Sequence, residues 1–342
     1  MAPVSGTQIR RSRVEFDGVY DEKWAWAAEF DYAKNGVAMK DVKLGYQAGN
    51  GTSVYVGNQK QPYSLSLEMS SNEEPFAERS IDNFLVASFA DRSIGIRTEL
   101  SGKQWFLAAG LFGDTLKTGS TGGDEGVSTS GRIVYAPLLE SQRVIHLGVR
   151  GLWREFDTAT ATVSIKDKTS DFSELSIVDS GALKTADSVT MFGPEFGMSF
   201  GPLYVFGEYT KADLDRKADT TLEFDAWHVA AAWTLTGESR AERYRIDAGE
   251  FKGLRPARNF DVLTGGIGAI ELAARYASIN LNDGLFVGGE EDAVSLTLNW
   301  YPNRNIRFMT DWTRIVDTDG SSIVRQFAPD MDIFTFRSQY NF

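Results

Sequence analysis

The 342-residue chain has no cysteine, two histidines and nine prolines. Without cysteine there are no disulfides, no thiolate catalysis and no cysteine-based metal sites. Hydrophobic residues make up 42%, yet no apolar run reaches the length of about 18 residues that a membrane-spanning helix needs. A β-barrel escapes that test, because half of every spanning strand is polar. Positive charge is in deficit. Lys and Arg number 35 against 47 Asp and Glu, a net charge of −12. That balance excludes generic nucleic-acid binding through a basic surface. The start Met1-Ala2-Pro3-Val4 has neither the positive n-region nor the apolar h-region of a secretory leader, so a leader is expected upstream of it.

What is present is alternation. The stretch Phe334-Thr335-Phe336-Arg337-Ser338-Gln339-Tyr340-Asn341-Phe342 puts Phe334, Phe336, Ser338, Tyr340 and Phe342 on one side. Thr335, Arg337, Gln339 and Asn341 take the other, the period-2 signature of a strand with two unlike faces. Trp24, Trp26, Ala28, Phe30 and Tyr32 oppose Glu29 and Asp31 in the same way, and Ile145, Leu147, Val149 and Trp153 oppose His146, Arg150 and Arg154. About fifteen such segments occur between residues 9 and 342. Their connections alternate in length. Those at 21–23, 48–51, 101–103, 138–142, 201–202 and 302–304 are short, and those at 60–90, 114–130, 156–187, 212–223, 281–292 and 316–331 are long. Short turns on one side and long loops on the other is the layout of an outer-membrane barrel. The stretch 237–265 is long where a short turn is due.

The expected fold is therefore all-β, a transmembrane antiparallel β-barrel formed as one domain over residues 1–342, with 60–90 as the constriction loop. A soluble sandwich, lectin or propeller would also bury one face of each strand. It would do so with Val, Ile and Leu inside rather than small residues, Trp and Tyr, and without alternating connections. Bacterial single-chain barrels have even strand numbers. With the C-terminal strand running down to the periplasm, the segment 9–20 also runs down, so a first strand is expected before it.

Several stretches, in order along the chain, resemble the phosphate- and pyrophosphate-selective porin O/P family. They are Ile9-Arg10-Arg11-Ser12-Arg13-Val14-Glu15-Phe16, Ala28-Glu29-Phe30-Asp31, Ala77-Glu78-Arg79-Ser80, Val134-Tyr135-Ala136-Pro137-Leu138, Val144-Ile145-His146-Leu147-Gly148, Trp233-Thr234-Leu235-Thr236-Gly237-Glu238 and Leu298-Asn299-Trp300-Tyr301. The resemblance implies a trimeric barrel of about 16 strands, joined here at its second strand, with the third loop folded into the lumen. It also accounts for 237–265 as an insertion after the Thr-Leu-Thr-Gly-Glu stretch at 234–238. It implies that arginines line an anion path and that a loop lysine beside an aspartate forms the anion site. By position, Arg10, Arg11 and Arg79 match family arginines and Asp31 matches the aspartate. Leu67 stands where the third-loop lysine is expected, and the arginine-bearing stretch of the fifth loop, here 158–165, holds no arginine. The third loop carries Glu68, Glu73, Glu74, Glu78 and Asp82 against Lys60 and Arg79. A phosphate dianion is repelled there unless those carboxylates turn to the wall.

A pore needs lumen charges at its narrowest point that bind weakly enough to release the solute. Alternation assigns to the lumen Arg11, Arg13, Lys43, Arg97, Arg150, Arg154, Arg275, Arg307 and Arg337, with Glu15, Asp17, Glu29, Asp31, Asp41, Glu99, Glu195, Glu208, Glu271 and Asp311. The candidate pore and anion-binding residues are Arg10, Arg11, Arg13, Asp31, Lys60, Arg79, Arg150 and Arg154. The alternative for each arginine is a structural pair with a neighbouring carboxylate, such as Glu271 with Arg275. Trp24, Trp26, Trp153, Trp227, Trp233, Trp300 and Trp312 read as a membrane-interface belt, or as a sugar-stacking track where they face inward. His146 and His228 both fall on lumen faces where a polar residue is ordinary, so no enzyme is expected. No cofactor or metal is expected either. Asp124-Glu125 and Asp317-Thr318-Asp319 offer at most a loop calcium, and solvated charge is the simpler account. The expected function is passive diffusion of small hydrophilic solutes across the bacterial outer membrane, with anions such as phosphate or pyrophosphate favoured. The partners are the lipid bilayer, lipopolysaccharide, further copies in a homotrimer, and small anionic or neutral solutes. The alternatives are a general porin without anion preference and a surface- or wall-anchoring barrel with an incidental pore.

Overall fold

A computed structural model describes residues 5–33, 36–116, 125–157, 161–167, 176–217, 219–319 and 331–342. The first strands are β1 (Arg13–Tyr20), β2 (Trp24–Asp31), β3 (Ala38–Gly49), β4 (Thr52–Lys60), β5 (Arg92–Ser101), β6 (Trp105–Phe112), β7 (Val127–Leu139) and β8 (Arg143–Glu155). A two-residue pair, β9 (Thr162–Val163) and β10 (Leu183–Lys184), lies within the next connection. Then come β11 (Ala186–Phe200), β12 (Leu203–Arg216), β13 (Leu222–Thr234), β14 (Ala269–Asp283), β15 (Phe286–Tyr301), β16 (Ile306–Asp319) and β17 (Asp332–Tyr340). All except the β9–β10 pair form one 15-stranded antiparallel sheet in which neighbours follow chain order, with β1 and β17 at its two ends.

Alternation builds the wall. In β17, Phe334, Phe336 and Tyr340 are exposed while Ile333, Thr335 and Arg337 are half-buried. Leu147, Val149, Val229, Leu272, Leu296 and Leu298 are likewise exposed on the outer face. Apolar surface costs about 25 cal/mol per Å² in water, so a continuous band of it belongs against lipid. The tryptophans belong to the same face. Trp24, Trp26, Trp105, Trp153 and Trp233 are exposed, and Trp300, Phe308 and Phe336 stack across three neighbouring strands.

Two connections expected to be long are tight turns. β12 and β13 extend across most of 212–223, and β14 and β15 meet at Gly284-Leu285, with Gly284 at φ 56. These strands run to 13–16 residues, more than the 9–11 or so needed to cross a bilayer. At their projecting ends the polarity is reversed: Ala212, Leu214, Leu222, Phe224 and Leu281 turn inward and are buried, while charged residues take the outer face; Lys211 pairs with Glu223 there, and Tyr276 Oη donates to Asp292.

Three segments fold into the lumen. The third loop contributes α1 (Leu65–Glu68) and α2 (Asn83–Ala90). Leu85, Val86 and Phe89 of α2 pack with Ile165, Ile177 and Val178 from the β8–β11 connection, against Met191, Leu214, Phe224 and Ile279 of the wall. The stretch after β13 enters from the other end, where Ala241 and Phe251 pack on Leu65, Met69, Phe76, Tyr204 and Phe206. The first part of the insertion, 239–254, is thus a lumenal element, while 257–260 and 262–265 stay exposed. The two apolar clusters fill the side of the lumen lined by β8 and β11–β14. Two cavities lie on the opposite side, along β14–β17.

Candidate pore and its arginines

The third loop is held at both ends by buried charge. Ser64 Oγ caps α1 by accepting from Leu67 N at 3.1 Å and donates to Glu208 Oε2 at 2.8 Å. Leu65 N donates to Glu195 and Ser66 N to Glu208, both at 3.0 Å. Glu195 also accepts from Arg132 at 2.7 Å and Arg150 at 3.4 Å, and lies 3.0 Å from His146 Nε2. Arg150 reaches Glu208 at 3.0 Å. Two guanidiniums and two carboxylates therefore cancel in a fully buried hub. At the start of α2, Asp82 Oδ2 lies 2.8 Å from His228 Nδ1.

The third-loop carboxylates are all engaged. Glu68 pairs with Arg97 at 2.9 Å, Glu73 with Lys252 at 3.4 Å, Glu74 with Arg79 at 3.3 Å, and Glu78 with Arg10 at 2.9 Å. With Asp82 on His228, the repulsion foreseen for an entering anion is largely cancelled.

The arginines divide by partner. Arg13 is tied to Glu29 and Asp31, each at 3.0 Å, and Asp31 also accepts from Ser12 N and Ala33 N. Arg150 is closed inside the hub, and Arg154 is bound to Asp114. Lys60 donates to the carbonyls of Glu68 and Met69 at 2.8 and 3.4 Å. These groups hold wall and loop together. Glu271 does not pair with Arg275. It takes Arg240 at 2.9 Å, because the inward fold of 239–254 delivers that guanidinium first. Arg275, Arg307 and Arg337 have no carboxylate in ion-pair contact among the described residues. They donate instead to third-loop carbonyls: Arg275 to Glu78 at 3.2 Å, Arg307 to Glu74 at 2.7 Å and Arg337 to Ala77 at 2.9 Å.

The cavities follow these unpaired groups. One of about 320 Å³ is lined by Arg10, Arg11, Arg79 and Arg275. Another of about 340 Å³, at the short-turn end, is lined by Arg243, Arg255, Arg304 and Arg307. Arg337 stands between them: Thr335, two residues before it, lines the first, and Gln339, two residues after, lines the second. Arg10, Arg11 and Arg79 thus reach open space, whereas Arg13, Asp31, Lys60, Arg150 and Arg154 line neither cavity. Among the described residues, Asp82, Glu208 and His228 are the one carboxylate–histidine group close enough to share a metal ion. Glu208 there already takes Ser64, Ser66 and Arg150. Asp124 and residues 158–160 lie outside the described residues.

The family model for "Phosphate-selective porin O and P" matches residues 4–342. The chain belongs to this family. The porin is 28% identical over 329 residues to an uncharacterized protein of Caulobacter vibrioides, covering 94% of this chain and 64% of that protein. It is 23% identical over 377 residues to Porin O of Pseudomonas aeruginosa, covering 98% of this chain and 82% of that one. Its fold is similar to in-vitro folded OmpT, an outer membrane protein of Vibrio cholerae. The TM-score is 0.60 at 12% identity, over 96% of this chain and 89% of that one. Family and fold together place the porin in the bacterial outer membrane.

Proposed function

We propose that this porin is a channel through which small hydrophilic anions diffuse passively, in a homotrimer set among lipid and lipopolysaccharide. The observation that carries the reading is the set Arg275, Arg337 and Arg307, three lumen guanidiniums without a carboxylate in ion-pair contact among the described residues: Arg275 lines one arginine-rich cavity, Arg307 the other, and Arg337 lies between Thr335 of the first and Gln339 of the second. A guanidinium that donates to neutral carbonyls keeps its charge available to a passing anion, and such contacts are individually weak enough to release it. Phosphate selectivity has less support, because Leu67 replaces the third-loop lysine and Asp31 is committed to Arg13. Both histidines act as ties, His146 to Glu195 and His228 to Asp82, which suits a channel rather than an enzyme. Single-channel recording of the Arg275→Gln/Arg307→Gln/Arg337→Gln variant tests the reading. The anion preference falls toward parity if it holds, and an unchanged preference refutes it. The apolar packing of half the lumen supports, as a second reading, a surface-anchoring barrel whose pore is incidental; it predicts small conductance steps whose ion preference the three substitutions leave unchanged.

A further inference from the structure

The cavity beside Arg275 is not built for inorganic anions. Arg275 pairs across the sheet with Ser295, and the next inward step toward the β14–β15 turn is the pair Ala277–Ala293. Both alanines line the cavity, as do Ile333 of β17 and Ile81 and Phe84 of the third loop. An apolar collar therefore sits directly above a guanidinium floor. The charge balance is also modest. Arg10, Arg11, Arg79 and Arg275 share the lining with the carboxyls of Glu78, Asp311, Asp167 and Glu291, so the guanidiniums are largely offset.

Inorganic phosphate gains little here. A dianion must shed water against apolar walls and meets guanidiniums already largely offset by carboxyls. An organic monoanion meets both surfaces. Its carboxylate takes the planar fork of Arg275. Its apolar body covers Phe84, Ile81 and Ile333 and releases their water. The volume of about 320 Å³ falls within the usual range for small-molecule sites. We propose that this cavity selects organic monoanions with an apolar body, of the aromatic carboxylate kind, over inorganic phosphate. The proposal rests on the anion-path reading.

Chloride current through the full chain in planar bilayers is recorded while benzoate, acetate or phosphate is added. Benzoate half-blocks at a concentration about tenfold below acetate and phosphate, a difference of about 1.4 kcal/mol. Ile333→Asn and Phe84→Ser each bring benzoate toward acetate, whereas Arg275→Gln weakens block by both carboxylates. Phosphate blocking as well as benzoate, or a benzoate preference that survives both apolar substitutions, overturns the proposal. A wild-type current carried by cations overturns the anion path itself, so the two failures are distinguishable.

Discussion

Glu195→Gln removes one charge from the buried hub without changing its shape. The hub holds Arg132, Arg150, Glu195 and Glu208, and the side chains of Arg132, Arg150 and Glu195 are wholly inaccessible. After the substitution, two guanidiniums share a single carboxylate, and one positive charge is left buried without compensation. Breaking a buried pair costs about 3–5 kcal/mol. The glutamine oxygen still accepts from Arg132 or Leu65 N, so the lower figure applies, about 3 kcal/mol. Stability scales with melting at about 2–4 °C per kcal/mol for chains of 150–250 residues, and less for a longer one, so the loss is roughly 3–6 °C. Heat-modified gel mobility or circular dichroism in detergent reads that shift. The companion Arg132→Gln/Glu195→Gln restores the balance of one guanidinium to one carboxylate and regains part of the loss, because the two changes act on one network. A Glu195→Gln protein within about 1 °C of wild type refutes the hub as the anchor of the third loop.

Asp82→Asn weakens the tie to His228 and costs about 1–3 kcal/mol, and freeing the start of α2 raises open-channel noise in single-channel records. Burial pushes the Asp167 carboxyl up from 3.8 to about 6. A raised carboxyl favours the protonated folded form, so its contribution is intact below pH 3.8 and is lost as pH rises through about 6. Asp167→Asn accordingly flattens the fall in melting temperature between those values, and an unchanged pH profile counts against the assignment. Arg337→Gln alone lowers chloride conductance at low salt more than at high salt, because screening already weakens the charge it removes; equal loss at both marks a steric effect.

Alternation made the wall legible. Period 2 depends only on which face meets lipid, so 334–342 and 143–155 could be read without their neighbours. It failed at 212–223 and 281–292, where Ala212, Leu214, Leu222 and Leu281 turn inward into the lumenal core and charged residues face out, the reverse of the spanning pattern. The inward third loop was legible through family likeness, but the direction of its carboxylates was not, because Glu68, Glu73 and Glu78 find partners on three separate segments. The arginines were the hardest to sort. Arg13 and Arg337 look alike in a strand pattern. One has carboxylates at register neighbours, and the other meets only loop carbonyls whose positions depend on the folded loop. Arg240 carries no strand signal at all, and its tie to Glu271 exists because the stretch after β13 turns inward.

The central claim is that solutes pass along a file of guanidiniums that have no carboxylate in ion-pair contact among the described residues. The reversal potential of the reconstituted protein under a KCl gradient tests it most directly. The account predicts a potential displaced toward the chloride equilibrium value. A displacement toward the potassium value contradicts it.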